Sequence, residues 1–386
     1  MHNQIAPHGG ALVNKLITGA ERTFWLEKAQ TLPSIVIDKR SLSDVEMIAV
    51  GAMSPLEGFM CREDYNSVVE HMRFETGLPW SLPIVLGVSR DEADDFDVES
   101  YITLKSEAGE IVAVLQLQEK YIVNKEREAA LVYKTTSLEH PGVKYLMEKR
   151  GEVLLGGELK VLNLPLHSSY PNYRLTPHET RSEFDKNGWL TIAAYQSHNP
   201  IHRAHEYITK CALEICDGLI VHPTVGETLE DDVPPEIRVK CLETVLENYY
   251  PETNNMMTIV PAGLRFAGPR EAVFHAIVQK NYGCTHIIIG DDYAGVKGFY
   301  GRQDAQKIFK EFGKYELGIV PLFFENIFYC KSCQHLASIK TCPHDVHEHI
   351  KFRGTEIREM FKDGKVPGLE ITRQEVADIL KKYYKK

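Results

Sequence analysis

The sequence is short of several things, and each shortage excludes a class of protein. No apolar run approaches the ~20 residues that a membrane-spanning helix needs. Residues 1–8 lack the basic-then-apolar pattern of a signal peptide. Positive charge is in deficit: 44 Lys and Arg against 54 Asp and Glu leave a net charge of −10, which argues against general nucleic-acid binding. It leaves room for local basic pockets of the kind an anion-handling enzyme needs. Cysteine is sparse, 8 in 386 residues, so a disulfide scaffold is excluded and a reduced, cytoplasmic setting is expected. No Gly-x-x-x-x-Gly-Lys-Ser/Thr loop occurs, so a fused kinase-like segment is not expected.

The chain is long enough for more than one domain, and its pattern changes along its length. Residues 1–165 read as a β-rich domain. Short apolar segments at 34–38, 82–89, 102–105, 111–117, 153–155 and 159–162 alternate with turn residues, interrupted by helical stretches at 42–50 and 62–71. Gly156-Gly157 reads as a turn between the last two segments. The acidic run Asp91, Glu92, Asp94, Asp95 and Asp97 is expected to be a solvated loop. Nothing in this region clusters as a catalytic site, so it is expected to shape or cover one.

Residues 166–325 read as an α/β domain. Residues 167–177 look like a linker, followed by a helix at 177–187 with Thr176 as its N-cap. A buried strand is expected at 189–194, then a tight polar turn, Gln196-Ser197-His198-Asn199-Pro200, then a helix from near Pro200. Strand, turn and helix in this order form a phosphate-binding arrangement, because the first N–H groups of the helix point back at the turn. His202 and His205 share one face of the first turn, three residues apart, able to grip one phosphate chain. Further strands at 218–221, 257–260 and 286–289 alternate with helices at 234–249 and 269–281. Such alternation implies a parallel sheet with ligands at the carboxyl ends of its strands. Four segments then meet in one crevice: 195–205, 222–232, 262–271 and 290–302. They carry Arg265 and Arg270 around a glycine turn, Gly226 and Gly295 for close backbone approach, and Asp231 and Asp232, which read as water- or metal-orienting groups or as surface acids. These types suit nucleotidyl transfer from ATP with Mg²⁺, in which positioning and charge stabilisation do most of the work.

Residues 326–386 carry a separate cluster, Cys330-x2-Cys333-x8-Cys342 followed by His344, His347 and His349. The ligand types and spacing are those of a closed structural zinc site. His349 is expected as the fourth ligand, since His344 stands so near Cys342 in sequence that closing the site strains the chain. The last stretch, 367–386, reads as an amphipathic helix with a basic end.

On these residues the chain resembles the ATP sulfurylase (sulfate adenylyltransferase) family. The resemblance rests on Ala6-Pro7-His8-Gly9-Gly10, Ser54-Pro55-Leu56-Glu57-Gly58-Phe59, Trp80-Ser81-Leu82-Pro83-Ile84, the Gln-x-x-Asn-Pro-x-His-x-x-His element, Val225-Gly226-Glu227-Thr228 with Asp231-Asp232, and Phe266-Ala267-Gly268-Pro269-Arg270-Glu271-Ala272. It implies a PUA-like N-terminal domain, a Rossmann-like catalytic domain and a small C-terminal domain that in some members carries zinc. It also implies the formation of adenosine 5′-phosphosulfate and pyrophosphate from ATP and sulfate with Mg²⁺, in either direction, within sulfate assimilation. A homo-oligomer, commonly a dimer, is carried over in the same way, and no fused phosphosulfate kinase is expected. By this resemblance His202 and His205 contact the phosphates, Asn199 places the α-phosphate and Gln196 holds sulfate. Arg265 joins the catalytic set, and Arg270, Ala294 and Gly295 join the substrate-binding one.

The departures fall on the crevice. His198 stands where the family pattern has an arginine. Gly290-Asp291-Asp292-Tyr293-Ala294-Gly295-Val296-Lys297 stands for Gly-Arg-Asp-His-Ala-Gly-Val-Gly, and Arg353 replaces the serine of Ser-Gly-Thr-x-hydrophobic-Arg, the stretch that ends here at Arg358. A neutral histidine or an aspartate cannot bind a tetrahedral oxyanion as arginine's rigid fork does. Three readings stand. The first is an ATP sulfurylase whose anion site uses His198, Lys297 and Arg353. The second is a nucleotidyltransferase that adenylylates another oxyanion or an organic phosphonate or phosphate. The third is a non-catalytic relative, against which the retained His202, His205, Arg265 and Arg270 argue.

Overall fold

The computed structural model describes residues 4–165, 170–226, 232–291, 293–296, 298–351 and 354–385. Lys297, Arg353, Asp231 and Asp292 therefore lie outside the described residues.

The N-terminal region is built on a six-stranded, mainly antiparallel sheet. Its centre is the pair Ile111–Ile122 and Val153–Val161. The sequence suggested two short strands broken at Gly156-Gly157, but the structure runs one strand through them. The glycines serve close approach rather than a turn, since a Cβ on Gly157 lies 2.0 Å from the Gln116 carbonyl oxygen. The acidic run also differs from expectation. Arg90–Asp94 is a short helix because Ser89 and Glu92 form a reciprocal capping box. The helix Gly19–Ala29 gave no signal, as Trp25 and Ala29 alone are buried on it.

In the central unit we number elements separately. Helix α1 is Pro177–Asn187, capped by Thr176 and Glu179. Strands β1 (Ile192–Ser197), β2 (Gly218–Pro223), β3 (Asn255–Met257), β4 (His286–Ile289) and β5 (Val320–Phe323) form one parallel sheet. Helices α2 (Arg203–Leu213), α3 (Pro235–Tyr249) and α4 (Pro269–Asn281) connect β1 to β2, β2 to β3 and β3 to β4. The spatial order is β5-β4-β1-β2-β3. Order reverses between β4 and β1, and a crevice opens there at the carboxyl ends. β1 runs three residues later than the apolar run suggested, because Gln196 and Ser197 continue the ladder beside His222 and Pro223. α2 starts at Arg203 rather than near Pro200, since His202 keeps an extended backbone as N-cap.

One apolar cluster runs without a break from the N-terminal sheet to one face of the central sheet, joining Met53 and Trp80 to Phe274, Ile277 and Ile287. The other face packs on the C-terminal helices Gly354–Lys362 and Gln374–Tyr384 through Ile357, Phe361, Val376 and Leu380. Before them, Phe328–Cys330, His335–Ala337 and His349–Lys351 form a small antiparallel sheet. Among the described residues, no helix is long and apolar enough to cross a membrane.

Candidate active site

A cavity of about 280 Å³ occupies the crevice. The end of β1, the turn after it and the start of α2 supply Gln196, His198, Asn199, His202 and His205 to its wall, and the segment after β4 supplies Asp291, Tyr293, Ala294 and Gly295. Residues set far apart in sequence thus converge because parallel strands all end on one side.

The two histidines at the start of α2 lie with ring centroids 5.9 Å apart and planes at 30°. The His202 backbone N–H donates to His205 Nδ1 at 3.1 Å. Burial pushes the His205 imidazole down to about 4, and burial with the neighbouring His205 pushes His202 down to about 3. Both rings are neutral at physiological pH. Because His205 Nδ1 is an acceptor, its one proton sits on Nε2, which is a donor. His202 Nδ1 meets Thr372 Oγ1 at 3.2 Å, which ties the C-terminal segment to the first turn of α2. The start of α2 therefore presents two neutral imidazoles to an anion, with the His205 Nε2–H as a donor, while the Arg203 and His205 backbone N–H groups are taken by the Ile371 and His202 carbonyls, both at 3.0 Å.

His198 is also held neutral, at about 4, chiefly by burial. Asn199 Nδ2 lies 3.2 Å from His198 Nε2 and donates to it, so the His198 proton sits on Nδ1. Across the cavity, His275 Nδ1 lies 3.0 Å from the Tyr293 hydroxyl, and burial pushes this imidazole down to about 3. Ala294 takes a left-handed backbone conformation, φ 52°, which turns the loop after β4 along the cavity. Asp291 Oδ2 accepts from Arg302 Nε at 2.6 Å.

Two arginines expected in the crevice do not line the cavity. Arg265 is ion-paired with Asp44 of the N-terminal region. Arg270 is buried and donates to the carbonyls of Val68 at 3.0 Å, Val69 at 2.9 Å and Ser81 at 3.5 Å. The physical reason lies in the turn between them. Glu271 accepts from the Arg265 and Ala267 N–H groups at 2.8 and 2.9 Å, and Gly268 takes φ 52° with no room for a Cβ beside the Tyr300 ring at 2.5 Å. This turn directs both guanidiniums to the domain seam. Gly226 approaches a backbone closely, but that of Ala262, 2.7 Å from its would-be Cβ.

Sequence reasoning passed over His275, named Tyr293 only as a departure from the family pattern, and gave Arg358 no role. Arg358 is the one arginine or lysine on the cavity wall among the described residues. Its signal was present, as the last residue of the stretch compared with the family pattern.

The cysteine cluster assembles as expected, with one correction. Ligand atoms of Cys330, Cys333, Cys342 and His344 all lie within 4.8 Å of one another, a set able to hold a metal ion. His344 Nδ1 lies 3.5, 3.2 and 3.6 Å from the three sulfurs. His349, the expected fourth ligand, reaches Cys342 alone, at 3.7 Å, and its ring stacks on Phe328 with centroids 3.6 Å apart. Closeness in sequence brings His344 in rather than excluding it. A second cavity, about 610 Å³, lies between this module and the loop after β4 and shares Asp291, Tyr293, Gly295 and Asn326 with the first.

Comparison with known proteins matches residues 171–383 to the ATP-sulfurylase family and residues 5–164 to a PUA-like domain. A sulfate adenylyltransferase of Halothermothrix orenii is 51% identical over 380 residues, covering 97% of this chain and 98% of its own. One from Trichodesmium erythraeum is 50% identical over 383 residues, covering 99% and 98%. Among solved structures, a hexameric APS kinase from Thiobacillus denitrificans superposes with a TM-score of 0.79 at 24% identity, over 98% of this chain and 68% of that one, a likeness of fold.

Proposed function

The chain belongs to the ATP-sulfurylase family, and from that premise we propose that it transfers the adenylyl group of ATP to sulfate, or runs the same reaction in reverse. A sulfate oxygen attacks the α-phosphorus, the bond to the bridging oxygen breaks, and pyrophosphate leaves with that electron pair. The observation that carries this reading is the pair of neutral histidines at the start of α2, at the point where the order of the parallel sheet reverses. His202 and His205 hold the phosphates and stabilise the departing pyrophosphate. Asn199 places the α-phosphate, Gln196 and Arg358 face the acceptor, and Ala294 and Gly295 bound the nucleotide. Arg265 and Arg270 act from behind, by anchoring to the N-terminal region the two ends of the turn that Glu271 fixes and that carries Leu264 to the cavity wall.

The carboxylates on the cavity wall among the described residues are Asp291 and Glu325, and Arg302 pairs with both, at 2.6 and 3.8 Å. They do not form a resident Mg²⁺ site, so Mg²⁺ arrives as part of the ATP substrate. The Cys330, Cys333, Cys342 and His344 donor set suits Zn²⁺, which when bound closes the small sheet as a structural cross-link. Metal analysis of freshly purified protein with no zinc sinks that part. We take residues 1–165 as the bracing domain, 166–325 as the catalytic one and 326–386 as the closing one, in a cytoplasmic homo-oligomer.

One observation favours a second acceptor class. His198 is a neutral donor where the family pattern has arginine, so an oxyanion other than sulfate, or an organic phosphonate or phosphate, is the competing reading. Pyrophosphate release from ATP, measured with sulfate and with a panel of other anions, separates the two. No release at any sulfate concentration excludes the sulfate reading.

A further inference from the structure

Behind the cavity wall runs a chain of three buried side chains from three elements. Gln196 of β1 and His222 of β2 are register partners across the parallel ladder, and Gln279 of α4 lies over both. Gln279 Nε2 donates to Gln196 Oε1 at 3.0 Å, and Gln279 Oε1 accepts from His222 Nδ1. Gln279 and His222 are fully buried, and Gln196 is 8% exposed and lines the cavity. Gln196 Nε2 has no hydrogen-bond partner. A buried amide N–H without a partner costs about 1–3 kcal/mol, so this one calls for an acceptor, and the cavity beside it is where one can sit.

The polarity of the chain decides what Gln196 presents. Run one way, Gln196 shows NH₂ to the cavity; run the other, it shows its carbonyl, which repels an oxyanion. Two observations bear on the direction. Cys284 Sγ lies 3.7 Å from Gln279 Oε1, where its S–H can join the His222 N–H in donating to a carbonyl. His222 Nε2 is buried and partnerless beside Tyr282, whose ring centroid lies 4.9 Å away. With the proton on Nδ1, only a bare lone pair is left there; the opposite tautomer leaves an unpaired N–H, the rarer and costlier orphan.

We propose that His222 and Gln279 are positioning residues for the acceptor, holding the Gln196 amide with its NH₂ toward the cavity as a donor to an oxyanion. Neither touches substrate. They act as the outer partners that orient a metal ligand do, by removing the choice of rotamer and amide face before the ligand arrives. The inference rests on the reading that Gln196 meets the acceptor, and it deepens that reading.

The test is steady-state kinetics on Gln279→Met, Gln196→Met, their double variant, His222→Leu and His222→Asn, with melting temperatures measured alongside. Gln279→Met and His222→Leu are expected to raise the KM for sulfate about tenfold and leave the KM for ATP within about twofold. His222→Asn, which keeps a donor near the Nδ1 position, is expected to recover most of the affinity that His222→Leu loses. Adding Gln279→Met to Gln196→Met should raise the KM no further. Equal losses toward ATP and sulfate, additive effects in the double variant, or an unchanged sulfate KM overturn the proposal. A wild-type enzyme that releases no pyrophosphate with sulfate overturns the activity reading instead. The positioning role is then decided by the same criteria applied to dissociation constants for sulfate and for inorganic phosphate, measured calorimetrically on the same variants.

Discussion

At the seam between the N-terminal sheet and the central unit, three strong donors are occupied. Arg265 pairs with Asp44, Arg270 gives its N–H groups to three carbonyls, and Asn281 donates to the Ala52 and Ser54 carbonyls at 3.1 and 3.0 Å. In the cavity the pattern is opposite. His198, His202, His205 and His275 are held neutral, and the Gln196 amide keeps an unmatched N–H. Arg265 and Arg270, which look like anion binders by type, are structural, and apart from Arg358 the cavity wall among the described residues offers neutral polar side chains as donors. An unmatched donor costs stability where nothing binds and is useful where something does.

That contrast can be broken at its strongest point first. Arg265→Ala leaves the Asp44 carboxylate buried and unpaired and should cost roughly 3–5 kcal/mol of stability in denaturant unfolding. A stable Arg265→Ala protein with a raised KM for ATP moves that guanidinium into the site and removes the distinction. On the cavity side, His205→Ala should lower kcat about 10²-fold in pyrophosphate release, a transition-state loss of about 2.7 kcal/mol. Its stability should fall by only about 1 kcal/mol, from the lost hydrogen bond with the His202 N–H. Arg358→Ala should weaken apparent anion affinity by about 1.5–3 kcal/mol with little change in melting temperature, since it removes one charge-assisted contact. An unchanged anion titration in that variant places Arg358 outside the acceptor site.

The smallest effect sharpens the comparison by pH. The neutral histidines refuse protons that the unfolded chain accepts near the ordinary value of 6.5, and their folded values lie at about 3 to 4. Stability from these groups is therefore fully present above about pH 6.5 and is lost as pH falls toward 4. At pH 5.5 each such histidine should cost on the order of 1 kcal/mol. Saturating a nonhydrolysable ATP analogue should blunt the loss at His202 and His205, because phosphate oxygens favour the charged imidazole. His8 sits at the seam on the Pro79 carbonyl at 2.7 Å and is held at about 4, so its share should stay unchanged. Thermal melts across pH 4–8, with and without the analogue, read the difference.

Much of the architecture was legible in the residues, and the failures have physical causes. Arg62–His71, Pro269–Asn281 and His286–Ile289 were read to the residue, because clear punctuators bound them: Pro269 opens the second and Gly290 follows the third. The start of α2 was misplaced because the Arg203 N–H finds its partner in the Ile371 carbonyl, at 3.0 Å, from a segment far away in sequence. No local pattern carries that. The directions of Arg265 and Arg270 were hidden likewise, since Asp44 and the Val68 and Val69 carbonyls lie in another sheet's domain. His344 was misjudged by treating sequence proximity as strain, when a chain turning after Cys342 lets its imidazole face the same point as the sulfurs.

The pairing of Arg265 with Asp44 bears on how this protein can be cut, grafted or rebuilt. Residues 171–383 match a family model by themselves, which invites treating them as a portable part. The ion pair makes them dependent. Separated from residues 5–164, the loop after β3 loses its counter-charge and Arg270 its acceptors, so the excised half carries two stranded cations under the loop that brings Leu264 to its cavity. Chimeras that exchange the N-terminal half must bring an acid to the position of Asp44, and libraries that vary the site can leave that half untouched. The border between the two halves in sequence is not a border in energy.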